Sequence, residues 1–430
     1  MIKYGHPPRG DAGFSVRLSI FWIFFRGIMK INKIVMIILI TIFTGISITY
    51  GILRYIDYKE QEKIRNAIVK IEFIDNLDIP FNSDVKLSDL ITSINGELIT
   101  DPKIDTTTLG KEEVRFRYIN EEDIKVPYTF YVNIIDNTPP TIWLNESYTV
   151  NVGYSKKLED AILCADDYDD NPKCSIIGEY DVNKIGNYNL VMEAYDFSGN
   201  KTSKKFNLKV TKPSNKTSSS SKSIPFRSLY NEYKKNDNKI GIDVSKWQGD
   251  IDYLKVKEEG VEFAFIKLGG QKGINKDYYL DPKYEQNIRG FKSVGIPVGL
   301  YFYSYANTPE AAQRDALWVI SQIKGEEIEY GIAFDWENWG SFNNFKMSFN
   351  TLTKSADKFL STIKSHGYDA LLYSSKTYLE NMWLRKDYPV WLAHYTEKTN
   401  YTGEYKCWQR TSLAKINGIT SNTVDFDICY

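Results

Sequence analysis

Two carboxylates, Asp335 and Glu337, stand two positions apart in GIAFDWENWG, residues 331–340, among Ile332, Phe334, Trp336 and Trp339. On a strand, residues i and i+2 face one side, so both acids would enter one space while Phe334 and Trp336 pack on the other. A lone acidic pair is more often a solvated edge, so the rest of the chain must decide. Two acids in a confined, partly apolar space suit cleavage of a glycosidic bond. One protonated carboxyl serves the leaving oxygen, and a second charged group manages the oxocarbenium-like transition state. Crowding and desolvation raise one pKa, and Glu337, with the longer reach, is the expected proton donor. Cβ atoms two apart on a strand lie roughly 6.5 Å from each other, between the separations of retaining and inverting pairs, so spacing leaves the stereochemistry open.

Elements able to position these acids recur from Lys239 onward. The runs KIGIDVS, VEFAFIKL, PVGLYFYSYA, GIAFDWEN, DALLYSS, PVWLAHY, CWQRT and TVDFDICY read as strands. Most are separated by helix-compatible segments such as PKYEQNIRGFKSV and TLTKSADKFLSTIKSHG, which points to an irregular α/β, TIM-like barrel with fewer than eight helices. Barrels carry their chemistry at the C-terminal ends of strands. Asp243 ends the first strand, Asp335 and Glu337 the fourth, and Asp425 lies in the last, next to the first in a closed barrel. Asp427 is a second acid on the face of Asp425.

IGIDVSKWQGDID, FDWEN, WLAHY, the WQ of CWQRT and the terminal VDFD together resemble the glycoside hydrolase family 25 lysozymes. The resemblance covers about residues 239–430. It implies hydrolysis of the β-1,4 bond between N-acetylmuramic acid and N-acetylglucosamine, with Glu337 as general acid and Asp335 as its partner. It matches Asp243 and Asp425 to the remaining acids of the family. It also implies a sugar cleft lined by Tyr301, Tyr303, Tyr373, Trp391, Tyr395 and Gln409, no cofactor or metal, and retention assisted by the substrate's 2-acetamido group, oriented by Asp335. YFY at 301–303 and Arg410 depart from the usual pattern. A non-catalytic wall-binding or adhesion protein is the alternative, and a hydrolase of another polymer such as chitin a third reading.

The remaining chain reads as a delivery device. At 430 residues, several domains are expected. With 54 Lys+Arg against 55 Asp+Glu, no basic excess supports nucleic-acid binding. Residues 34–53 are uncharged and long enough for one transmembrane helix, following a cytoplasmic segment 1–33, of which 1–28 is a possible mis-called extension. The expected location is a bacterial membrane, single-pass, with the C-terminal domains outside and peptidoglycan as the partner. Alternating runs in 68–136 and 137–211 read as two antiparallel β-sandwich modules. LSDLI at 87–91 recurs as LEDAI at 158–162, Gly110 and Gly186 each precede a strand, and Tyr118 and Tyr195 end comparable strands, as in an internal duplication. The second module resembles bacterial immunoglobulin-like repeats. Residues 212–237 read as a Ser-rich linker before a barrel over 238–430. Two local disulfides, Cys164 with Cys174 and Cys407 with Cys429, suit an exported protein. ADDYDDNP, 165–172, reads as a solvated loop, with calcium as the minor alternative.

Overall fold

The computed structural model describes residues 33–213, 222–421 and 423–430. The segment 1–32 and residues 214–221 of the expected linker lie outside that range. The chain divides into two compact units, 1–135 and 136–430.

In the first unit, a helix spans Lys33–Asn66, and residues 35–66 of it are long and apolar enough to cross a membrane. The uncharged run ends at Leu53, but the helix continues because the following residues are good helix formers and Lys59 pairs with Glu62 one turn on. Beyond it, Asp78–Pro80, Lys125–Ile135, Gly110–Asn120 and Gly96–Leu98 form a four-stranded sheet, and Ile71–Phe73 pairs with Ile91–Ile94.

The second unit opens with the same pattern. Lys173–Ile177, Gly186–Tyr195, Lys201–Thr211 and Ser147–Asn151 form one sheet and Thr141–Trp143 with Leu163–Ala165 another. In both copies a one-turn helix, Leu87–Leu90 or Leu158–Ala161, runs directly into a strand of the smaller sheet. The four-stranded sheets are mixed rather than purely antiparallel. The short leading strand lies parallel to the last one in each copy, because the chain between them crosses to the second sheet and back. Tyr118 and Tyr195 are not equivalent. Counting from Gly110 and Gly186, Tyr118 matches Ala194, and both are buried, whereas Tyr195 is one residue further and faces outward.

All eight runs from Lys239 onward are strands. We label them β1 Lys239–Val244, β2 Phe263–Gln271, β3 Val298–Tyr303, β4 Ile332–Asp335, β5 Ala370–Ser375, β6 Val390–Ala393, β7 Cys407–Lys415 and β8 Val424–Cys429. Strands β1 to β7 pair in parallel sequence, and β8 inserts antiparallel between β7 and β1 to close the barrel. Helices Tyr284–Ser293, Pro309–Ile323 and Phe349–Ser365 cover the outside. Only the short helix Lys376–Asn381 separates β5 from β6, so the barrel is irregular where sequence spacing is tight.

Both faces of these strands are buried, which makes them continuous apolar runs rather than alternating ones. Outward residues join the main core with the helices. Inward ones, including Phe263, Phe265, Ala333, Leu371 and Trp391, fill the barrel. Gly241 and Gly299 make room there, since a Cβ at either would approach the ring of Phe263 or Phe265 to about 2.5 Å. Cys407 and Cys429 face each other across β7 and β8 and are joined, as are Cys164 and Cys174.

Two expectations need correcting. The linker does not extend to 237: Ile224–Pro225 pairs with β7, and the helix Phe226–Tyr233 buries Phe226 and Leu229 in the barrel core, three positions apart on its apolar side. Nor is 165–172 a solvated loop. The amides of Phe349 and Asn350 donate to the carbonyls of Asp166 and Asp167 at 2.9 and 3.0 Å. The amide of Ser348 donates to the Asp170 carboxylate at 2.6 Å. These bonds satisfy N–H groups at the start of the helix Phe349–Ser365, which have no acceptor within their own helix.

Candidate active site

The inward series of each strand ends in a polar residue at one mouth of the barrel. Phe263 and Phe265 lead to Lys267 on β2, Ala333 leads to Asp335 on β4, Leu371 to Tyr373 on β5, and Cys407 to Gln409 on β7. Because β8 runs the other way, its N-terminal part reaches the same mouth, and Asp425 pairs in register with Asp243 of β1. A cleft of about 590 Å³ opens there. Its walls are Asp243, Lys267, Tyr301, Tyr303, Asp335, Glu337, Tyr373, Trp391, Tyr395, Gln409 and Asp425, so all ten residues expected from the sequence meet at one place.

Glu337 reaches the cleft by a different route from the one expected. Strand β4 stops at Asp335, and Glu337 (φ −125°, ψ 16°) begins the 3₁₀ turn Asn338–Phe345. The turn forms because Trp336, Trp339, Phe342 and Phe345 pack edge to face and face to face under it, with ring centroids 4.9 to 6.0 Å apart. The two acids expected on one strand are thus carried on a strand end and a turn.

Cleft residues differ in depth. Tyr395 is 57% exposed at the rim, whereas Trp391 is 1% exposed and stacks on Phe265 at 4.1 Å. The Trp391 ring therefore forms the floor and offers no open face for stacking. A polar chain crosses this floor: the Tyr373 and Tyr395 hydroxyls each donate to Gln409 Oε1 at 2.9 Å, and Gln409 Nε2 donates to Asp243 Oδ2 at 2.7 Å. Gln409 thus fixes the carboxylate of Asp243 while two tyrosines fix Gln409.

Asp427 lies behind Asp425, fully buried, and accepts the Trp391 indole N–H at 2.8 Å. Its second oxygen has no donor among the hydrogen bonds of the described residues. The carboxyl of Asp243 is its neighbour, so one proton held between the two acids completes the pairing. Asp425 borders the cleft and Asp427 supports its floor.

Every acid here is pushed toward its protonated form. Burial raises Asp335, with the charge of Glu337 adding to it. Burial also raises Glu337, opposed by the Lys267 ammonium and by the nearby Tyr373 hydroxyl. Burial and Asp243 lift Asp425 to about 9. Asp335 is 4% exposed, with Oδ1 lacking a donor among the described residues. Burial and mutual repulsion thus both push the 335/337 pair toward holding a proton, the direction that acid catalysis requires.

Lys267 is the residue that sequence reasoning missed. Its Nζ lies 4.8 Å from the Tyr303 ring centroid and 5.7 Å from that of Tyr301. The signal was a single charge inside the apolar run FAFIKLGG.

Residues 242–419 match the family model Glycosyl hydrolases family 25. An autolytic lysozyme of Clostridium acetobutylicum is 30% identical over 190 residues, which are 44% of this chain and 54% of that protein. The chain thus spans about half the length of that relative. Lysozyme M1 of Streptomyces globisporus is 38% identical over 76 residues, 17% of this chain and 24% of that one. Among solved structures, the modular autolysin LytC from Streptococcus pneumoniae, in complex with synthetic peptidoglycan ligand, aligns with a TM-score of 0.40 and 27% identity over 56% of each chain. The family match ends at 419, before β8, so Asp425 and Asp427 lie beyond it.

Proposed function

Taking residues 242–419 as a glycosyl hydrolase family 25 domain, we propose that the protein is a membrane-tethered peptidoglycan hydrolase. It cleaves the β-1,4 bond between N-acetylmuramic acid and N-acetylglucosamine. One observation carries this reading: buried acids from β1, β4 and β8 meet in a single polar cleft beside one ammonium group.

In the proposed reaction the Glu337 carboxyl gives its proton to the leaving glycosidic oxygen as the C1–O bond breaks. Asp335 orients the 2-acetamido group, whose carbonyl oxygen attacks C1 from the opposite face. Water, deprotonated by the Glu337 carboxylate, then opens that ring, and configuration is retained. Asp243 and Asp425 line the same cleft beside the reacting pair, and the Gln409 chain holds Asp243 in place. Tyr301, Tyr303 and Tyr395 hold the glycan strand, above a floor formed by Tyr373 and Trp391.

The two small β modules act as immunoglobulin-like spacers, and the helix Lys33–Asn66 as the membrane anchor. Uncharged residues 34–53 favour the anchor, with the barrel on the side where peptidoglycan lies. Protease added to intact cells should release a soluble fragment carrying the hydrolase. Complete protection until lysis would reverse that topology.

The test of the chemistry is digestion of purified peptidoglycan by the detergent-solubilised chain, with the new reducing end identified. The parent should release muramic-acid reducing ends, and Glu337→Gln should lower turnover by roughly 10² to 10⁴ fold while melting near the parent temperature. Undiminished turnover in Glu337→Gln would reject the acid. No hydrolysis by the parent, with wall binding intact, would favour the adhesion reading.

A further inference from the structure

Away from the cleft, the small module of the second unit gathers three buried acids. Asp136, Asp166 and Asp196 each offer a carboxylate oxygen, and these oxygens lie within 4.8 Å of one another. They come from separate segments: the stretch that follows Lys125–Ile135, the loop after Leu163–Ala165, and the turn between Gly186–Tyr195 and Lys201–Thr211. No salt bridge among the described residues involves any of the three. Asp166 is 1% exposed and its Oδ2 has no hydrogen-bond donor among the described residues. Its Oδ1 is already held by the amides of Tyr168 and Asp169 at 2.8 and 2.7 Å. The carboxylate is thus locked in orientation with one oxygen aimed into the cluster.

We propose that Asp136, Asp166 and Asp196 bind a calcium ion. Calcium takes oxygen ligands at about 2.3 to 2.6 Å, so two ligand atoms on one ion can stand up to about 5 Å apart, and these lie within that limit. The surrounding bonds fix the other two acids without exhausting their lone pairs. Asp196 accepts from the amide and side chain of Asn200, both at 2.8 Å, and Asp136 from the amide of Thr138 and the hydroxyl of Ser198. Without a cation, three carboxylates in this space repel, and burial pushes Asp166 up to about 6. An oxygen-only set of three anions suits a hard divalent ion better than zinc, which takes nitrogen and sulfur.

The ion would have a mechanical consequence. The loop that carries Asp166 also supplies the carbonyls of Asp166 and Asp167 and the carboxylate of Asp170 to the start of the helix Phe349–Ser365. That helix follows the turn headed by Glu337. Calcium would stiffen the junction through which the module grips the barrel.

The test uses the full chain in detergent, stripped with a chelator and titrated with calcium chloride by calorimetry and thermal melting. One ion should bind per chain, and the melting temperature should rise by roughly 3 to 8 °C at a hundredfold excess over Kd. Asp166→Asn keeps the acceptor for Tyr168 and Asp169 but loses the charge, so it should abolish the calcium response. It should melt at or above the calcium-free parent, because a buried charge is gone. Asp136→Asn should weaken binding at least tenfold and provides the measurement if Asp166→Asn does not fold. No calcium binding by the parent, or a full response retained in the variants, would overturn the site.

Discussion

Replacing Lys267 by Met separates an electrostatic role from a packing one. Met keeps most of the side-chain volume beneath the Tyr301 and Tyr303 rings and removes the ammonium. That ammonium opposes the burial that raises Asp335 and Glu337. An opposite charge beside a carboxyl favours its ionised form, and burial of the pair keeps that effect from being fully screened. The sign follows from which form is active. Activity needs a proton on the 335/337 pair and is lost as pH rises through the last ionisation. Removing a cation that favours ionisation raises that pKa, so the alkaline limb of kcat/KM should move to higher pH. The assay is release of reducing ends from peptidoglycan across pH 4 to 10, with the melting temperature followed in the same buffers. A limb that stays put, or moves down, in a variant of parental stability would refute the idea that Lys267 sets the protonation of the pair.

The same profile should respond oppositely to Asp335→Asn. With one carboxyl gone, the last proton no longer leaves against a neighbouring negative charge, so the alkaline limb should move to lower pH while turnover falls. In the barrel, Cys407→Ser with Cys429→Ser opens a loop of 22 residues, and the chain-entropy argument expects a loss of roughly 3 kcal/mol in stability, read by denaturant melting. Unreduced peptide mapping of the parent should find the 407–429 and 164–174 pairs, and free thiols at these positions would contradict the pairing.

What was legible in the sequence follows from periodicity and burial. Strands enclosed on both faces read as apolar runs, so all eight were visible, and inward side chains at their ends followed from alternation alone. Asp243 and Asp425 could be brought together from opposite ends of the domain because a closed barrel makes first and last strands neighbours. Features set by long-range contacts were hidden. The end of β4 before Glu337 depends on four aromatic rings packing under a turn, which strand periodicity does not encode. The helix Phe226–Tyr233 sits in a polar stretch and is held by two buried side chains whose partners lie far along the chain. The loop at 165–172 reads as solvated because two of its acceptors are backbone carbonyls, and the donors to it sit some 180 residues away.

The reversed strand β8 also dictates when the site can exist. Its residues close the gap between β7 and β1, and they bring Asp425 to the cleft and Asp427 to its floor. During synthesis the other seven strands leave the ribosome first, yet the barrel stays an open sheet with two unpaired edges until residues 424–429 emerge. A chain halted anywhere short of them lacks both a sealed core and two of its acids. On the proposed reading, a chain truncated before residue 424 should therefore be inactive, although seven of the eight strands are present.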